Sequence, residues 1–408
     1  MHLLQLAGGQ AWPNLLAILA LRPTSVTYLT SSDPEQDYRR GIEAIHDACR
    51  SLGVTVDHRI ISTPEKEPTT DECRESLKTL VPDCINLTGG TKPMSLAAYD
   101  IATSKGIPSF YLDTRRKDSP AESVNPQAAS LRDRINEAFP NIVASLKVQI
   151  ALKANGFPIP THFKTPPEHW IRFAVRAAQL RQSLQADLEI AQAIGQLRAQ
   201  LMGNGSDMPK KGALRRVLQI PITATTASHW HQYLLAASDE GILQLTDTTT
   251  ADRQEFFLLQ HDPVTTAADT LRSLANETFK LLEGVWFELA VLDHLKQKAS
   301  FSDIAWSVEA DHLQDPAASS RGETDLVAFN TVGGSLHFIS CKTSGPHQSP
   351  LDHIQGLRNR ATKEGGQFSK AELWIFRPKT ESHRRDLENH CSEQKVELRV
   401  FVEQQATP

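Results

Sequence analysis

Residues that could bind a divalent cation and act on a phosphodiester are concentrated in the C-terminal third of the chain. Asp325 begins one predicted strand, DLVAF, and Lys342 ends the next, LHFISCK. The turn NTVGGS joins the two strands, so a hairpin would bring Asp325 and Lys342 close together. Upstream, Glu288 shares the helical spacing of an apolar stripe. That stripe consists of Leu281, Val285, Leu292 and Leu295.

A helical Glu, a hairpin Asp and a following Lys form the arrangement of the PD-(D/E)xK nuclease core. The carboxylates of Glu288 and Asp325 would hold a hard divalent cation, which polarises a phosphodiester and lowers the pKa of bound water. Lys342 would orient the nucleophile and offset developing charge. The alternative is an ordinary Asp325–Lys342 salt bridge, with Glu288 reaching solvent at a helix bend. Spacing alone leaves both interpretations open.

One position departs from that arrangement. The residue two before the lysine is usually acidic, and here it is Ser340, a poor metal ligand. The cation would then be held by Glu288, Asp325 and the backbone carbonyl of Cys341, or Glu323 would be recruited, or the site would be impaired. The Cys341 side chain is predicted to be a small buried apolar group rather than a nucleophile.

Two loops with paired glycines could bind an anion at the other end of the chain. One spans residues 7–14 (AGGQAWPN) and the other residues 88–94 (TGGTKPM), and each lies between a predicted strand and a helix that opens with proline. Such a loop presents free amides to an anion. The hydroxyls of Thr88 and Thr91 and the charge of Lys92 add to the second loop. A third loop, residues 30–33 (TSSD), could supply further hydroxyls.

Neither glycine loop has the spacing of a Walker A motif or of GxGxxG, so ATP hydrolysis and dinucleotide binding are not supported. A Rossmann oxidoreductase is disfavoured for the same reason. Each glycine pair could equally serve a tight turn that lets a helix pack closely. Two such loops at one sheet edge nevertheless favour a phosphate-bearing ligand.

The elements that must position these residues follow a βα rhythm over the first 112 residues. Predicted strands are His2 to Leu6, Ser25 to Leu29, Val54 to Ile61, Cys84 to Leu87 and Ser109 to Leu112, with helices near Asn14 to Leu21, Gln36 to Leu52, Thr70 to Leu80 and Pro93 to Lys105. Parallel strands need crossover helices, so this order predicts a doubly wound, Rossmann-like α/β sheet. Its ligand site would lie at the carboxyl ends of the strands.

The remainder of the chain predicts two further units. A polar loop at 115–126 precedes helices near 127–152 and 167–202, and the segment 204–212 (NGSDMPKKG) interrupts them. The strands around ILQL and EFFLLQ then indicate either a winged-helix-like element or a plain helical linker with a hairpin. A long helix near 277–296, a hairpin, a helix near 350–365 and the strand ELWIF follow. The predicted domains are 1–145, 146–265 and 266–408.

Composition limits the class of protein. The 408 residues carry Lys+Arg 43 against Asp+Glu 48, a formal charge of -5, which excludes the global attraction of a strongly basic nucleic-acid coat protein. The five cysteines form no CxxC pair, so no disulfide framework or thiolate zinc site is indicated. No apolar run approaches the length of a membrane span, and the N-terminus lacks a basic segment typical of a signal peptide. We expect a cytoplasmic protein without membrane contact.

The ordered motifs resemble one family. LAGGQAWPNLLAIL, NLTGGTKPMSLAAYDIA, LLEGVWFELAVLDHL, GETDLVAFN, LHFISCKTSG and LRNRATKEGGQFSKAELWIF are similar to the CRISPR ancillary nucleases that join a CARF (CRISPR-associated Rossmann fold) sensor to a restriction-endonuclease-like effector. The resemblance is weakest over residues 115–265. It implies a cytoplasmic homodimer of type III CRISPR immunity, activated by a cyclic oligoadenylate, most often cyclic tetra-adenylate. The nuclease would cut RNA or DNA with Mg or Mn.

The resemblance also assigns positions. Ligand-loop residues would be Gly9, Gln10, Asn14, Ser31, Ser32, Thr88, Gly89, Gly90, Thr91, Lys92 and Met94. The catalytic set would be Glu288, Asp325, Ser340 and Lys342, with Ser340 as a tolerated departure. The rival hypothesis is a non-catalytic, nucleotide-responsive DNA-binding regulator with a decayed nuclease domain, which Ser340 supports slightly.

Overall fold

The computed structural model describes most of the chain. The described residues are 1–8, 11–32, 38–113, 116, 119–157, 164–201, 218–221, 227–250, 253–257, 273, 276–309, 323–344, 349–366 and 369–405. Gly9, Gln10 and the predicted break at 204–212 lie outside these residues. No helix in this described part is long and apolar enough to span a bilayer.

The N-terminal unit is a six-stranded sheet in the order β3-β2-β1-β4-β5-β6. Its strands are β1 (His2–Leu6), β2 (Ser25–Thr30), β3 (Asp57–Ser62), β4 (Cys84–Asn86), β5 (Ser109–Leu112) and β6 (Ala121–Ser123). The first five are parallel, and β6 pairs antiparallel with β5. The Rossmann-like prediction is therefore confirmed. Strand β3 begins at Asp57, three residues later than expected, since Val54 belongs to the preceding turn.

Helices cover both faces of this sheet. They are Trp12–Leu21, Tyr38–Ser51, Thr70–Leu77, Lys92–Lys105 and Ala129–Ser145. The helix Trp12–Leu21 is buried at nine consecutive positions, Pro13 to Leu21. A helix that is apolar all round must be enclosed on every side. It therefore lies in the interior of the protein rather than on its surface.

The middle of the chain is helical and carries a small sheet. Its helices are Val148–Ala154, Glu168–Leu180, Leu184–Leu201 and Ala227–Asp239. Strand β7 (Leu218–Pro221) precedes the last helix, and β8 (Gln244–Thr250) and β9 (Arg253–Phe257) follow it. These three strands form an antiparallel sheet in the order β7-β9-β8. The hairpin β8–β9 agrees with the sequence, whereas β7 is an element that the sequence pattern did not indicate.

The C-terminal unit is a mixed five-stranded sheet, β10-β11-β12-β13-β14. Its strands are β10 (Phe301–Glu309), β11 (Glu323–Asn330), β12 (Ser335–Lys342), β13 (Lys370–Ile375) and β14 (Glu397–Val400). Strands β10, β11 and β12 are antiparallel, and β12, β13 and β14 are parallel. Helices Trp286–Lys296, Pro350–Gly365, Glu381–Glu393 and Phe401–Gln405 complete the unit.

The helix that carries Glu288 differs from the predicted one. Helical residues 276–280 continue into a π-helical turn, Leu281–Val285, before the α-helix Trp286–Lys296. The α-helix is buried at Trp286, Phe287 and most later positions, so it is enclosed rather than simply amphipathic. Glu288 lies on its more open side and is partly exposed.

Alternation along β12 divides its side chains between two cores. Cys341 and Ile339 pack with the helix Trp286–Lys296, as predicted for a buried Cys341. Phe338 and Leu336 face the other way and share a core with the helix Trp12–Leu21 of the N-terminal unit. Ser340 and Lys342 have the same parity as Phe338 and therefore lie on that second face.

Candidate functional site

The candidate catalytic residues lie where two strands of the C-terminal sheet separate. Strands β11 and β12 are paired from Asn330–Ser335 up to Leu326–Ile339. Beyond that pair β12 continues beside β13 as far as Lys342, while β11 stays with β10 as far as Glu323. Asp325 is the first residue of β11 past the separation, and Cys341 lies close to it on β12.

The Asp325 carboxylate takes the place of the missing strand partner. Its Oδ2 accepts a hydrogen bond from the Cys341 backbone N–H at 2.6 Å. A buried amide without a partner costs free energy, so this side chain satisfies a donor that the separation would otherwise leave unpaired. Asp325 therefore has a structural role whether or not it also has a catalytic one.

Two side chains donate to the same carboxylate oxygen. Ser340 Oγ is 3.0 Å from Asp325 Oδ2, and Lys342 Nζ is 3.1 Å from it. Burial lowers the pKa of Lys342, but the attraction of Asp325 and its hydrogen bond outweigh burial, and the net shift is upward. Lys342 is therefore a cation at neutral pH. The ion pair that the sequence left as an alternative is present, and it occupies the predicted site.

His353 is a residue of this site that the sequence analysis did not identify. It lies in the first turn of the helix Pro350–Gly365, and its Nε2 is 3.1 Å from Ser340 Oγ. A hydroxyl has one proton to donate. If Ser340 donates its hydroxyl proton to the Asp325 carboxylate, its oxygen can only accept from His353. Nε2 of His353 must then carry a proton and donate it to Ser340 Oγ. Burial and then the Lys342 ammonium lower the pKa of His353, so the ring is neutral, with Nδ1 as its acceptor.

The same helix places Arg360 next to the first residues of β11. Its Nη1 is 3.1 Å from Thr324 Oγ1 and also donates to the Glu323 carbonyl. His353 and Arg360 are seven residues apart and therefore lie on one helix face. A helix that follows the lysine strand and packs back on it has to bring its first turn near the lysine. That connectivity was the signal available in the sequence for finding His353.

Glu288 lies near this group but makes a different hydrogen bond. Its Oε2 accepts from Trp306 Nε1 at 2.9 Å. Burial, followed by repulsion from Asp325, raises the pKa of Glu288 well above its usual range. A divalent cation bound between these two carboxyl groups would offset their mutual repulsion in the partly buried site.

The residues predicted to bind a cation do not form a cluster of metal ligands in the described part of the chain. Within the described part of the chain, no group of three or more His, Cys, Asp or Glu side chains is arranged to hold a metal ion. The Cys341 thiol faces the apolar core, where burial raises its pKa well above the usual value, so it offers no thiolate. The donor chemistry of Glu288 and Asp325 fits a hard cation, but a cation at Asp325 Oδ2 would have to displace a donor.

The two glycine loops of the N-terminal unit contact each other through their backbones. A Cβ on Gly8 would be 2.7 Å from the backbone nitrogen of Gly90, and one on Gly89 would be 2.7 Å from the Leu6 carbonyl oxygen. Gly89 and Gly90 also have φ values of 97° and 64°. Only glycine adopts this conformation at low cost. Gly89 and Gly90 therefore serve a tight turn, and Gly8 and Gly89 allow close backbone contact, which is compatible with ligand binding.

The remaining candidate ligand residues fall into two groups. Thr88 is buried, and its Oγ1 accepts from the Leu112 amide at 2.6 Å; Met94 is fully buried beneath the loop. Asn14 is also buried, donating from Nδ2 to the Leu6 carbonyl, and its Oδ1 has no partner among the described residues. Ser31 is buried at the end of β2.

By contrast, Ser32, Thr91 and Lys92 are exposed. Ser32 Oγ donates to the Pro64 carbonyl at 3.2 Å. Thr91 and Lys92 begin the helix Lys92–Lys105, where backbone amides and the helix dipole favour an anion. Thr91 and Lys92 are therefore the exposed residues of this set that an anion could reach at the start of that helix.

Comparisons with known proteins agree with this architecture. Residues 3–137 match the family model of the Card1 CARF domain. The fold is similar to protein VC1899 from Vibrio cholerae, with a TM-score of 0.68 and 16% identity, covering 98% of this chain and 94% of that one. It is also similar to Can2 from Sulfobacillus thermosulfidooxidans in complex with cyclic tetra-adenylate, with a TM-score of 0.61 and 17% identity, covering 99% and 96%. No curated protein matches the chain. Residues 3–137 therefore form a CARF domain, and the resemblance to a CARF-containing CRISPR ancillary protein is confirmed.

Proposed function

We propose that the CARF domain binds a cyclic oligoadenylate, cyclic tetra-adenylate, and that binding activates a nuclease in the C-terminal unit. The protein would act as a cytoplasmic homodimer in type III CRISPR defence and cut RNA or DNA. The boundaries 1–145, 146–265 and 266–408 would separate the sensor, the middle element and the nuclease. The CARF match and the fold shared with a cyclic tetra-adenylate complex support the sensor half.

A single observation carries the nuclease half. Asp325, Ser340 and Lys342 converge at the separation of β11 and β12, with Glu288 close enough to be perturbed by Asp325. Glu288 and Asp325 would hold Mg or Mn, together with the backbone carbonyl of Cys341. The cation would supply Lewis acidity and lower the pKa of a bound water. The Lys342 ammonium would then break its hydrogen bond with Asp325 and contact the phosphate while remaining protonated.

His353 would act as the proton acceptor in this site. The oxygen of a water would bond to phosphorus as the ester bond to the leaving oxygen breaks; Nδ1 of His353 would accept the proton of that water, and the leaving oxygen would take a proton from solvent. Ser340 keeps the imidazole oriented through its 3.1 Å contact with Nε2. The lowered pKa keeps the His353 ring unprotonated near pH 7, so it can accept a proton, although the shift also makes it a weaker base.

Cleavage assays test the proposal. Labelled single- and double-stranded RNA and DNA would be incubated with the protein, Mg or Mn, and each cyclic oligoadenylate. Cleavage that needs both cyclic tetra-adenylate and metal, and that disappears in Lys342→Ala, is the expected result. Absence of cleavage with every pair would overturn the nuclease assignment.

A second function is favoured by one specific observation. Asp325 Oδ2 already has three donors, and Ser340 stands where an acidic ligand is usual. A nucleotide-responsive DNA-binding regulator with an inactive nuclease fold would show this arrangement. Binding of duplex DNA that changes with cyclic tetra-adenylate, without cleavage, would identify that function.

A further inference from the structure

Trp12 links the first glycine loop of the CARF domain to the hairpin that carries the candidate catalytic residues. It begins the helix that follows this loop, and its ring packs edge-on against Phe329 of β11, with ring centroids 5.8 Å apart at 73°. The other side of the hairpin turn meets the same ring at Gly334. The indole therefore touches β11 at Phe329 and the turn that leads into β12 at Gly334.

The contact at Gly334 leaves no space for a side chain. A Cβ there would be 2.5 Å from Cζ2 of Trp12, and Gly334 has a φ of +61°. The indole Nε1 is buried without a hydrogen-bond partner among the described residues. A cavity of about 20 Å³ adjoins the ring and is also lined by Ala11, Phe329 and Ser335. Among the described residues the ring is thus held by packing rather than by a hydrogen bond, and the cavity beside it has room for about one water molecule.

On the sensor side the first loop touches the second. The backbone of Gly8 lies against Gly90, so closely that a Cβ on Gly8 would be 2.7 Å from the Gly90 nitrogen. The second loop continues into Thr91 and Lys92, the exposed residues at the candidate ligand edge. A ligand that moves this loop therefore moves backbone that is in direct contact with the segment leading to Trp12.

On the nuclease side the hairpin is a continuous ladder. Its pairs run without interruption from Asn330–Ser335 to Leu326–Ile339. Phe329 is four residues from Asp325 on the same strand, about 14 Å at the usual rise of a strand. We expect a hydrogen-bonded ladder of this length to move together, which would carry a shift at its turn to Leu326 and Ile339, the chain neighbours of Asp325 and Ser340.

We propose that Trp12 is a positioning residue that couples ligand occupancy of the CARF loops to the geometry of the Asp325–Ser340–Lys342 group. The inference rests on the proposed function and names its regulation. Coupling of this kind requires that the ligand favour one of two arrangements of Trp12 against the hairpin. Among the described residues no hydrogen bond from the indole Nε1 ties the ring to its present arrangement.

Gly334→Ala tests the coupling from the nuclease side, with Gly53→Ala as its matched control. Both glycines have positive φ, +61° and +73°, but a Cβ on Gly53 would have nothing within 4 Å. We expect Gly334→Ala to reduce the ratio of cleavage rates with and without cyclic tetra-adenylate by about tenfold, a common size for allosteric coupling. Gly53→Ala should keep the wild-type ratio. An unchanged ratio in Gly334→Ala, with wild type activated, would overturn the coupling.

Tryptophan fluorescence gives a readout that does not depend on cleavage. The difference between the spectra of wild type and Trp12→Phe reports the Trp12 environment, and we expect it to change when cyclic tetra-adenylate is added. Calorimetry shows separately whether the ligand binds. Binding without a change in the difference spectrum would refute the role of Trp12 and leave the sensor function intact. No binding to wild type would refute the sensor function itself.

Discussion

Replacing Asp325 by Ala and by Asn should separate its structural role from its catalytic one. Asp325→Ala removes an acceptor shared by the Cys341 amide, Ser340 and Lys342. The Cys341 amide is part-buried and loses its partner, which costs about 1–3 kcal/mol. Ser340 keeps His353, and the Lys342 side chain is 32% exposed and regains water, so their losses add only about 1 kcal/mol. We expect a destabilisation of about 2–4 kcal/mol.

Asp325→Asn keeps an oxygen for the Cys341 amide and loses only the charge. Its cost should be about 1 kcal/mol, the net value of weakening hydrogen bonds to a charged acceptor. For a chain of this length unfolding as one unit, the Ala variant would then melt about 2–5 °C below wild type and the Asn variant about 1 °C below it. Both variants should lose cleavage, since neither offers a carboxylate to a cation.

Chemical unfolding of the two variants, without nucleic acid or activator, measures the loss of stability. The cleavage assay measures the loss of activity. Equal stability of Asp325→Ala and wild type would refute the account of the strand separation. Wild-type cleavage by Asp325→Asn would show that the charge of this carboxylate has no part in catalysis. Circular dichroism confirms that the fold is retained in both variants.

Three further changes test neighbouring parts of the argument. Ser340→Glu should be accommodated beside a bound cation and tighten the metal dependence of cleavage, whereas unchanged metal dependence would mean that residue 340 does not face the ion. Lys92→Ala should weaken cyclic tetra-adenylate binding measured by calorimetry, and shift activation to higher ligand concentration at an unchanged saturating rate; equal affinity would place the ligand elsewhere. Because the folded state raises the pKa of Glu288, the protonated side chain is accommodated at low pH, and the free energy of unfolding falls as pH rises through that pKa and the side chain becomes charged. Glu288→Gln should therefore raise the unfolding temperature in EDTA more at pH 8 than at pH 5, and an equal effect at both would contradict the shift.

The parallel, doubly wound sheet of the CARF domain was predictable because its first five strands and the helices between them are signalled locally. Apolar strands alternate with helices, and paired glycines mark two of the loops, so topology rules suffice to predict a parallel sheet. The hairpin of Asp325 and Lys342 was predictable for the same reason. The turn NTVGGS lies between two apolar strands and fixes their pairing.

Other features depend on contacts between distant segments. His353 reaches Ser340 only because the helix Pro350–Gly365 packs back on β12, and Trp12 reaches Gly334 across more than three hundred residues of chain. The π turn at Leu281–Val285 shifts the helix that carries Glu288, so the apolar stripe did not describe its burial. Strand β7 was missed because LQIP is too short and carries a proline.

The shared core between the two large units has a consequence for how the protein can be divided. Ile18 of the CARF domain, Leu152 of the connecting helix and Phe338 of the C-terminal sheet belong to one buried cluster. Cutting the chain at residue 145 would expose apolar side chains on both fragments, and such surfaces cause aggregation. The N-terminal and C-terminal units are therefore not independent modules joined by a flexible linker. A different C-terminal domain fused to this CARF domain would have to provide the same buried apolar face.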